Sequence, residues 1–208
     1  MPRHKESERD RVRSGTRSLL LESATIEFAR EGYVGAKIDR ISKEAGFAKG
    51  TIYNYFDSKR SLMLAIIDEV ARAHLAFIQD HVRQEEDPRI RLERFFEAGF
   101  SFVTNHLAQA RVMINTLYGP DVGFKQEMYA AYQPMFQLVS RDILVPGVAE
   151  GYFRHIDPDA TTLLLMTIYL GTGSQVSEDG RVWLDPGQVA DFALHALCKR
   201  DQLGHEGT

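Results

Sequence analysis

Two glycines, Gly32 and Gly46, divide the first sixty residues into short amphipathic segments, and this division constrains the fold more than any other feature of the sequence. Helical spacing of apolar residues predicts a first helix from about Arg13 to Gly32, a second over Ile38–Gly46 and a third over Lys49–Phe56. Glycine ends helices readily because it adopts the left-handed backbone conformation without strain. The apolar residues with this spacing are Leu20, Leu21, Ala24, Phe28, Ile38, Ile41, Ala45, Ile52 and Phe56.

Two short helices joined by a tight glycine-containing turn and braced by a longer helix are typical of a helix-turn-helix unit, whose second short helix enters the major groove of DNA. The third predicted helix starts with Lys49, Gly50 and Thr51, where free backbone amides and the helix dipole suit a phosphate oxygen. Residues 53–55 present polar tips away from the apolar face. Asn54 suits an adenine edge, whereas Lys49 suits either a guanine or a phosphate.

A longer pattern surrounds these residues and consists of FAREGY (28–33), Ile41, AGFAKGTIYNYF (45–56) and Ser58-Lys59. This pattern closely resembles the DNA-binding signature of the tetracycline-repressor (TetR) family, over about residues 17–62. The resemblance implies contacts with DNA backbone or base edges, with Asn54 as the variable reader. The predicted DNA-binding residues are Lys37, Lys49, Gly50, Thr51, Tyr53, Asn54, Tyr55 and Lys59.

Two positions depart from the family pattern. Ala36 and Ala48 stand where the family usually has Thr or Ser at the starts of the second and third helices. Each missing hydroxyl cap costs about 0.5–2 kcal/mol of helix stability and removes a hydroxyl that could contact phosphate. A degenerate head that no longer binds DNA is therefore the alternative to a functional one.

The net charge of −4 is unevenly distributed. Residues 1–62 carry 13 Lys and Arg against 9 Asp and Glu, whereas the remainder carries 12 against 20. Only the N-terminal part therefore has the net positive charge that favours binding of a polyanion such as DNA. An architectural DNA protein would have a basic surface throughout, so the charge distribution argues against that class. Residues 1–16 mix both charges without an apolar face, so we predict a flexible arm, either solvated or inserted in the minor groove. The predicted domains are this arm, the helix-turn-helix domain 17–62 and a helical effector-binding and dimerisation domain 63–203.

The rest of the chain reads as helices. Apolar spacing predicts one long helix from Ser58 to about His81, and three Asp-Pro pairs mark further helix starts, with aspartate as N-cap and proline at the first helical position. The further predicted helices are Pro88–His106, Ala108–Tyr118, Phe124–Val145, Pro158–Gln175 and Pro186–Lys199. No segment has strand periodicity. The predicted fold is therefore all-α with about nine helices, and Pro134 should bend the helix that contains it.

Aromatic and methionine side chains are concentrated in the middle of this helical domain. Such a stripe is either plain core or the lining of a cavity, and the TetR resemblance favours an effector pocket. The predicted ligand-binding residues are Phe96, Phe100, Val103, Met113, Leu117, Tyr118, Met128, Tyr132 and Phe136, with Met135 beside them. The candidate polar anchors are His106, Asn115, Thr116, Tyr118 and Tyr132. This lining predicts a small hydrophobic or aromatic effector with few charged groups.

The last two predicted helices carry apolar stripes that suit a helix–helix interface, although the core of a single chain explains such stripes as well. The TetR resemblance implies that these helices form a homodimer seam. The predicted interface residues are Leu163, Met166, Leu170, Val189, Phe192 and Ala196. A single helix-turn-helix needs a dimer, because a palindromic site requires two heads about 34 Å apart.

No pattern in the sequence indicates catalysis. There is no nucleophile–base pair, metal-ligand cluster or glycine-rich phosphate loop, so we predict no catalytic residues, no metal site and no cofactor. The single cysteine, Cys198, lies in an amphipathic run and is expected to be a buried apolar residue. The longest apolar stretch, 163–170, is far shorter than the roughly 20 residues of a membrane span, and the charged N-terminus does not resemble a signal peptide. We therefore expect a cytoplasmic protein without membrane contact.

These observations favour a ligand-responsive transcriptional regulator. The TetR resemblance implies a repressor that binds a palindromic DNA operator as a homodimer and is released by a hydrophobic effector. The alternative is a helical small-molecule-binding protein with a degenerate DNA-binding head. The regulator accounts for both halves of the chain, whereas the carrier leaves the residues from Lys49 to Lys59 without a role.

Overall fold

The computed structural model describes residues 3–177 and 181–199, with side chains from Asp10 onward. Over these ranges the chain is all-α apart from two isolated bridges, Phe153 with Cys198 and Val176 with Val182, which confirms the predicted fold class. The helices are α1 (Arg3–Gly35), α2 (Ile38–Glu44), a 3-10 helix (Lys49–Asn54), α3 (Lys59–Val82), α4 (Pro88–Asn105), α5 (Leu107–Tyr118), α6 (Val122–Gln137), a π-helix (Leu138–Leu144), α7 (Val145–Ala149), α8 (Pro158–Gly173) and α9 (Pro186–Leu197). Within the described residues, no helix is long and apolar enough to cross a membrane.

Glycines interrupt or end helices, and aspartates cap helix starts, at the predicted positions. Gly32 interrupts α1 with a φ of 67°, and Gly46 has a φ of 81° in the turn after α2. Asp87, Asp157 and Asp185 are the N-caps of α4, α8 and α9, and each carboxylate accepts a backbone N–H from the first turn of its helix. The Asp-Pro pairs therefore define three helix starts, as predicted.

Two predicted segments differ from the structure. Residues 3–16, expected to be a flexible arm, form the first turns of α1, because extending an established helix requires only one residue to be fixed for each added hydrogen bond. Met1 and Pro2 lie outside the described residues, as do residues 200–203 of the predicted second domain.

The helix predicted over Phe124–Val145 is α6, the π-helix and α7 in succession, and the π-helix begins four residues after Pro134. Proline lacks the N–H that continues the α-helical pattern.

The described chain forms two compact units. The first contains the residues up to Val70 together with Ala108–Met128, and the second contains Ala71–Leu107 and the residues from Tyr129 onward. The first unit thus includes α5 and the start of α6, which the sequence analysis assigned to the C-terminal domain. Helix α3 contributes residues to both units.

The first unit has a core formed by the apolar faces that the sequence predicted. Helix α1 contacts α2, and α2 contacts the 3-10 helix. The buried side chains include Leu20, Leu21, Ala24, Phe28, Ile41, Ile52, Phe56, Leu62, Met63 and Ile66. This core fixes the 3-10 helix on the first two helices.

The second unit is organised around α4, which contacts α7, α8, α9 and the π-helix. Two residues predicted to bind ligand, Phe96 and Phe100, lie in its packed core, and both approach the ring of Tyr169. Their environment is that of core residues. Cys198 is buried in the same core, as expected.

Candidate nucleic-acid interface and effector cavity

The predicted DNA-reading residues lie on one short element, the recognition segment, which we define as Lys49–Tyr55. Ile52 is buried and anchors this segment, whereas Tyr53 and Asn54 are exposed. Thr51 and Tyr55 are partly buried. The segment is a 3-10 helix rather than the predicted α-helix, and its side-chain polarity divides as the sequence indicated. Its exposed groups are available to base edges.

Lys49 at the start of the recognition segment is not a free cation. Its ammonium donates a hydrogen bond to Asp39 Oδ2 in α2 at 2.8 Å, although both side chains are exposed. This hydrogen bond and the charge of Asp39 raise the pKa of Lys49. The sequence analysis did not single out Asp39.

Lys59, at the first position of α3, is also engaged within the protein. Its ammonium donates to the carbonyl oxygens of Val34 and Ala36 at 3.1 and 2.5 Å, and it lies 5.1 Å from the ring centroid of Tyr33. Desolvation lowers its pKa. Lys59 therefore ties α3 to the end of α1 and to the link before α2, and its contact with DNA stays a prediction.

The missing caps have a partial replacement that the sequence analysis did not find. The N-cap of α2 is Lys37, one residue after Ala36, and neither Lys37 nor Ala48 makes a side-chain cap. Instead, Glu27 of α1 accepts the backbone N–H of Lys37 at 3.1 Å. The Glu27 side chain is fully buried, and it also binds the guanidinium of Arg30 and lies 3.7 Å from that of Arg40. A carboxylate from α1 thus holds the start of α2.

A second set of contacts joins the start of α6 to the same unit. The Arg60 guanidinium lies 4.4 Å from the ring centroid of Phe124 and 3.5 Å from Asp121 Oδ2. The ring of Phe124 packs edge-on against Tyr33 at 4.7 Å. Residues on both sides of the recognition segment, Tyr33 and Arg60, therefore contact the segment that follows α5.

A cavity of about 790 Å³ lies in the first unit, between the end of α1 and the turn after α5. Most of its lining is apolar or aromatic. The lining residues are Phe28, Glu31, Gly32, Tyr33, Val34, Met63, Val112, Ile114, Asn115, Thr116, Tyr118, Gly119, Pro120, Asp121 and Phe124. Tyr118 and the anchors Asn115 and Thr116 were expected to bind ligand. Met113, Leu117 and Met128, also in this unit, are not among the lining residues.

The second unit contains a buried polar cluster that the sequence did not predict. His74 Nε2 lies 2.8 Å from the hydroxyl of Tyr169, and Nδ1 lies 3.2 Å from that of Tyr132. The imidazole stacks on Phe102 at 4.3 Å. Burial lowers the pKa of His74 to about 3, so the ring is neutral near pH 7 and has one donor and one acceptor nitrogen. Of the predicted ligand residues, Tyr132 belongs to this cluster, while Val103 and Phe136 lie elsewhere in the same unit.

Replacing Tyr169 by phenylalanine should lower the free energy of unfolding by about 1–3 kcal/mol at pH 7, because the buried His74 Nε2 loses its partner. The measurement is urea denaturation followed by circular dichroism. Tyr129→Phe removes an exposed hydroxyl and is the matched control, with an expected change below about 0.5 kcal/mol. Equal stability of the Tyr169→Phe variant and the wild type would show that the cluster contributes nothing.

The predicted dimer residues divide into two groups. Leu163, Phe192 and Ala196 are exposed, and Leu170 is half-buried. Met166 and Val189, in contrast, are buried in the core of the second unit and have no surface to offer a partner. The stripes on α8 and α9 serve the core of the chain as well, and the dimer interface stays a prediction.

The helical architecture and the exposed recognition segment place the protein in the class of helix-turn-helix proteins. Residues 20–66 match the family described as bacterial regulatory proteins, tetR family. The match covers α1 from Leu20 onward, the helix-turn-helix segment and the first turns of α3.

Two relatives are transcriptional regulators, one an activator and the other a repressor. The chain is 31% identical over 134 residues to the HTH-type transcriptional activator FasR of Mycolicibacterium smegmatis, covering 62% of this chain and 61% of that protein. It is 28% identical over 152 residues to the HTH-type transcriptional repressor KstR2 of Mycobacterium tuberculosis, covering 66% of this chain and 69% of that protein. The match to FasR thus spans less than two thirds of its length.

The fold is shared with solved structures of regulators. The transcriptional regulator FadR from Bacillus subtilis, crystallised in complex with stearoyl-CoA, superimposes with a TM-score of 0.75 at 19% identity. The superposition covers 86% of this chain and 95% of that one. At this identity the likeness establishes the fold.

Proposed function

We propose that this protein is a transcriptional repressor that binds a palindromic operator as a homodimer and is released by a hydrophobic small molecule. The observation that carries the proposal is the recognition segment, in which buried Ile52 holds the exposed Tyr53 and Asn54 on a helix-turn-helix unit. An exposed amide and phenol at this position suit base edges and phosphate oxygens in the major groove. The family relationship and the repressor among the relatives support the same function.

Dimerisation is supported by exposed apolar side chains on the last two helices. Leu163 and Leu164 of α8 and Phe192 of α9 are each at least 60% exposed. Large apolar side chains that are exposed in a single chain mark an interaction surface when they occur together. Two copies joined through these helices would supply the two heads that a palindromic site needs.

The cavity in the first unit is the effector site that we propose. Its volume lies within the range of about 300–1,000 Å³ that is typical of small-molecule sites, and its walls are mostly apolar. The ionisable side chains among the described lining residues are Glu31, Asp121 and two tyrosines, and no Lys or Arg belongs to the lining. Both carboxylates pair with arginines outside the lining, so the described lining residues offer no free cation to an anion such as an acyl-CoA. The cavity therefore favours an apolar effector whose polar group is neutral or singly positive.

The same cavity connects effector binding with the head. Gly32 and Tyr33 in its wall belong to the last turn of α1, shortly before α2. Asp121 and Phe124, also in the wall, contact Arg60 just after the recognition segment. An effector that fits the cavity better in a second arrangement of these contacts moves the two recognition segments away from the operator spacing. A coupling of about 1–3 kcal/mol between the two sites is usual for such a response.

Filling the cavity should make the effector less able to release the protein from DNA. We expect Ile114→Trp to raise the concentration of decyltrimethylammonium that releases DNA by about tenfold or more, because the indole occupies the apolar lining. DNA affinity without effector should stay within about twofold of the wild type, since Ile114 lies outside the helix-turn-helix segment. The measurement is fluorescence anisotropy with a duplex that the wild-type protein selects from a random library.

The control Arg111→Trp places the same side chain at an exposed position of α5 outside the lining, and it should respond like the wild type. Decanoate and stearoyl-CoA serve as anionic probes. If either releases DNA more effectively than the cation, or if Ile114→Trp changes nothing, the effector site lies elsewhere.

The alternative, a ligand-binding protein with a degenerate head, rested on the missing caps at Ala36 and Ala48. The Glu27 contact with the Lys37 N–H weakens that ground, because the start of α2 is held without a hydroxyl cap. The exposed recognition segment also has no role in the alternative.

A further inference from the structure

Asp39 and Lys49 form an ion pair on the helix-turn-helix surface. Asp39 lies in the first turn of α2, and Lys49 is the first residue of the recognition segment. The 2.8 Å contact joins side chains that are 60% and 68% exposed, so neither charge is forced into the pair by burial. Each remains accessible to a third group such as a DNA phosphate.

The pair changes what the recognition segment offers to DNA. A lysine that binds a phosphate contributes affinity by releasing a counterion, and a carboxylate at the same place opposes that release. Lys49 paired with Asp39 therefore adds no net positive charge to the surface. Lys59, the next predicted phosphate contact along the chain, already donates to two backbone carbonyls.

We infer that Asp39 is a selectivity residue. It holds Lys49 away from the phosphates of random DNA, and the ion pair separates only where the operator offers Lys49 a better partner. The inference rests on the proposed function, because it concerns the choice between operator and other DNA. On random DNA the available partner is a phosphate, and the repulsion between Asp39 and the backbone cancels the gain. At the operator, a guanine edge offers Lys49 directed acceptors in addition to the backbone.

The pairing predicts a difference between the two kinds of DNA. Asp39→Asn removes the competing charge and leaves the backbone and the side-chain volume nearly unchanged. Binding to random DNA should tighten about fivefold for each head in contact, and the slope of log affinity against log salt should steepen by about 0.9 per head. Binding to the operator should change less, so the ratio of operator to random affinity should fall.

The experiment uses the full-length protein and two labelled duplexes, one of random sequence and one selected from a random library by the wild-type protein. Anisotropy titrations at several salt concentrations compare the wild type, Asp39→Asn, Lys49→Ala and the double variant. Lys49→Ala alone should weaken random binding and make the salt slope shallower, because it leaves Asp39 unopposed, and in the Asp39→Asn background it should remove the added slope. Glu127→Gln is the control, because it removes one exposed carboxylate from α6 of the same unit.

Three outcomes overturn the inference. If Glu127→Gln tightens random binding as much as Asp39→Asn, only net charge matters. If the wild type selects a sequence and Asp39→Asn leaves the affinity ratio unchanged, Asp39 has no role in selectivity while the proposed function stands. If the wild type selects no sequence at all, the proposed function fails, and the selectivity role of Asp39 fails with it.

Discussion

Replacing Glu27 by alanine should lower the free energy of unfolding by about 3 kcal/mol. The Glu27 carboxylate is fully buried, accepts the Lys37 N–H and binds Arg30, with Arg40 nearby. Its removal leaves a backbone donor at the start of α2 without an acceptor and separates two guanidinium groups from their shared anion. Both arginines are almost half exposed, so water compensates part of the loss and the effect stays at the low end for a buried ion pair.

Urea denaturation followed by circular dichroism measures this effect. Two further variants show which interaction of Glu27 is responsible. Glu27→Gln keeps an acceptor for the Lys37 N–H but not the charge, and it should lose roughly half as much stability. Glu22→Ala removes an exposed carboxylate from the same helix and should change stability by less than about 0.5 kcal/mol. A Glu27→Ala variant as stable as the Glu22→Ala variant would mean that Glu27 does not hold the start of α2.

Most of the fold could be predicted from local sequence patterns. The helix starts at the Asp-Pro pairs and the helix breaks at Gly32 and Gly46 depend on a few neighbouring residues, so the sequence is sufficient to predict them. The core of the first unit followed from apolar spacing for the same reason. The division between buried Ile52 and exposed Tyr53 on the recognition segment followed from the same spacing.

Contacts between residues distant in sequence were harder to predict. Glu27 had a signal, since position 27 shares a helical face with the buried Leu20 and Ala24, and a charged residue at a buried position must be paired. The pair of Asp39 with Lys49 and the cluster around His74 had no such signal, because they depend on how helices are placed. The burial of Met166 and Val189 in the core of the second unit had no signal either, because a helical stripe does not say which neighbour covers it.

Loss of the Tyr53 and Asn54 side chains should weaken operator binding about 100-fold. These residues are exposed and make no contribution to the core, so the fold should persist when both are alanine. Each good contact with a base edge contributes about 1–3 kcal/mol, and a factor of ten in affinity corresponds to 1.4 kcal/mol. Two contacts of about 1.4 kcal/mol each, near the lower end of this range, therefore account for the expected loss. Random DNA, which is bound mainly through its phosphates, should be affected much less.

The most direct test of the account is a fluorescence anisotropy titration of the selected duplex with the wild type, Tyr53→Ala/Asn54→Ala and Tyr129→Ala. Tyr129 is as exposed as Tyr53 and lies on α6, which makes it a matched control for the loss of a surface phenol. A DNA-binding regulator predicts tight, salt-sensitive binding by the wild type and the control, and a loss of about 100-fold in the double variant. Weak binding that is the same for all three proteins would contradict the account and favour the ligand-binding protein with an inactive head.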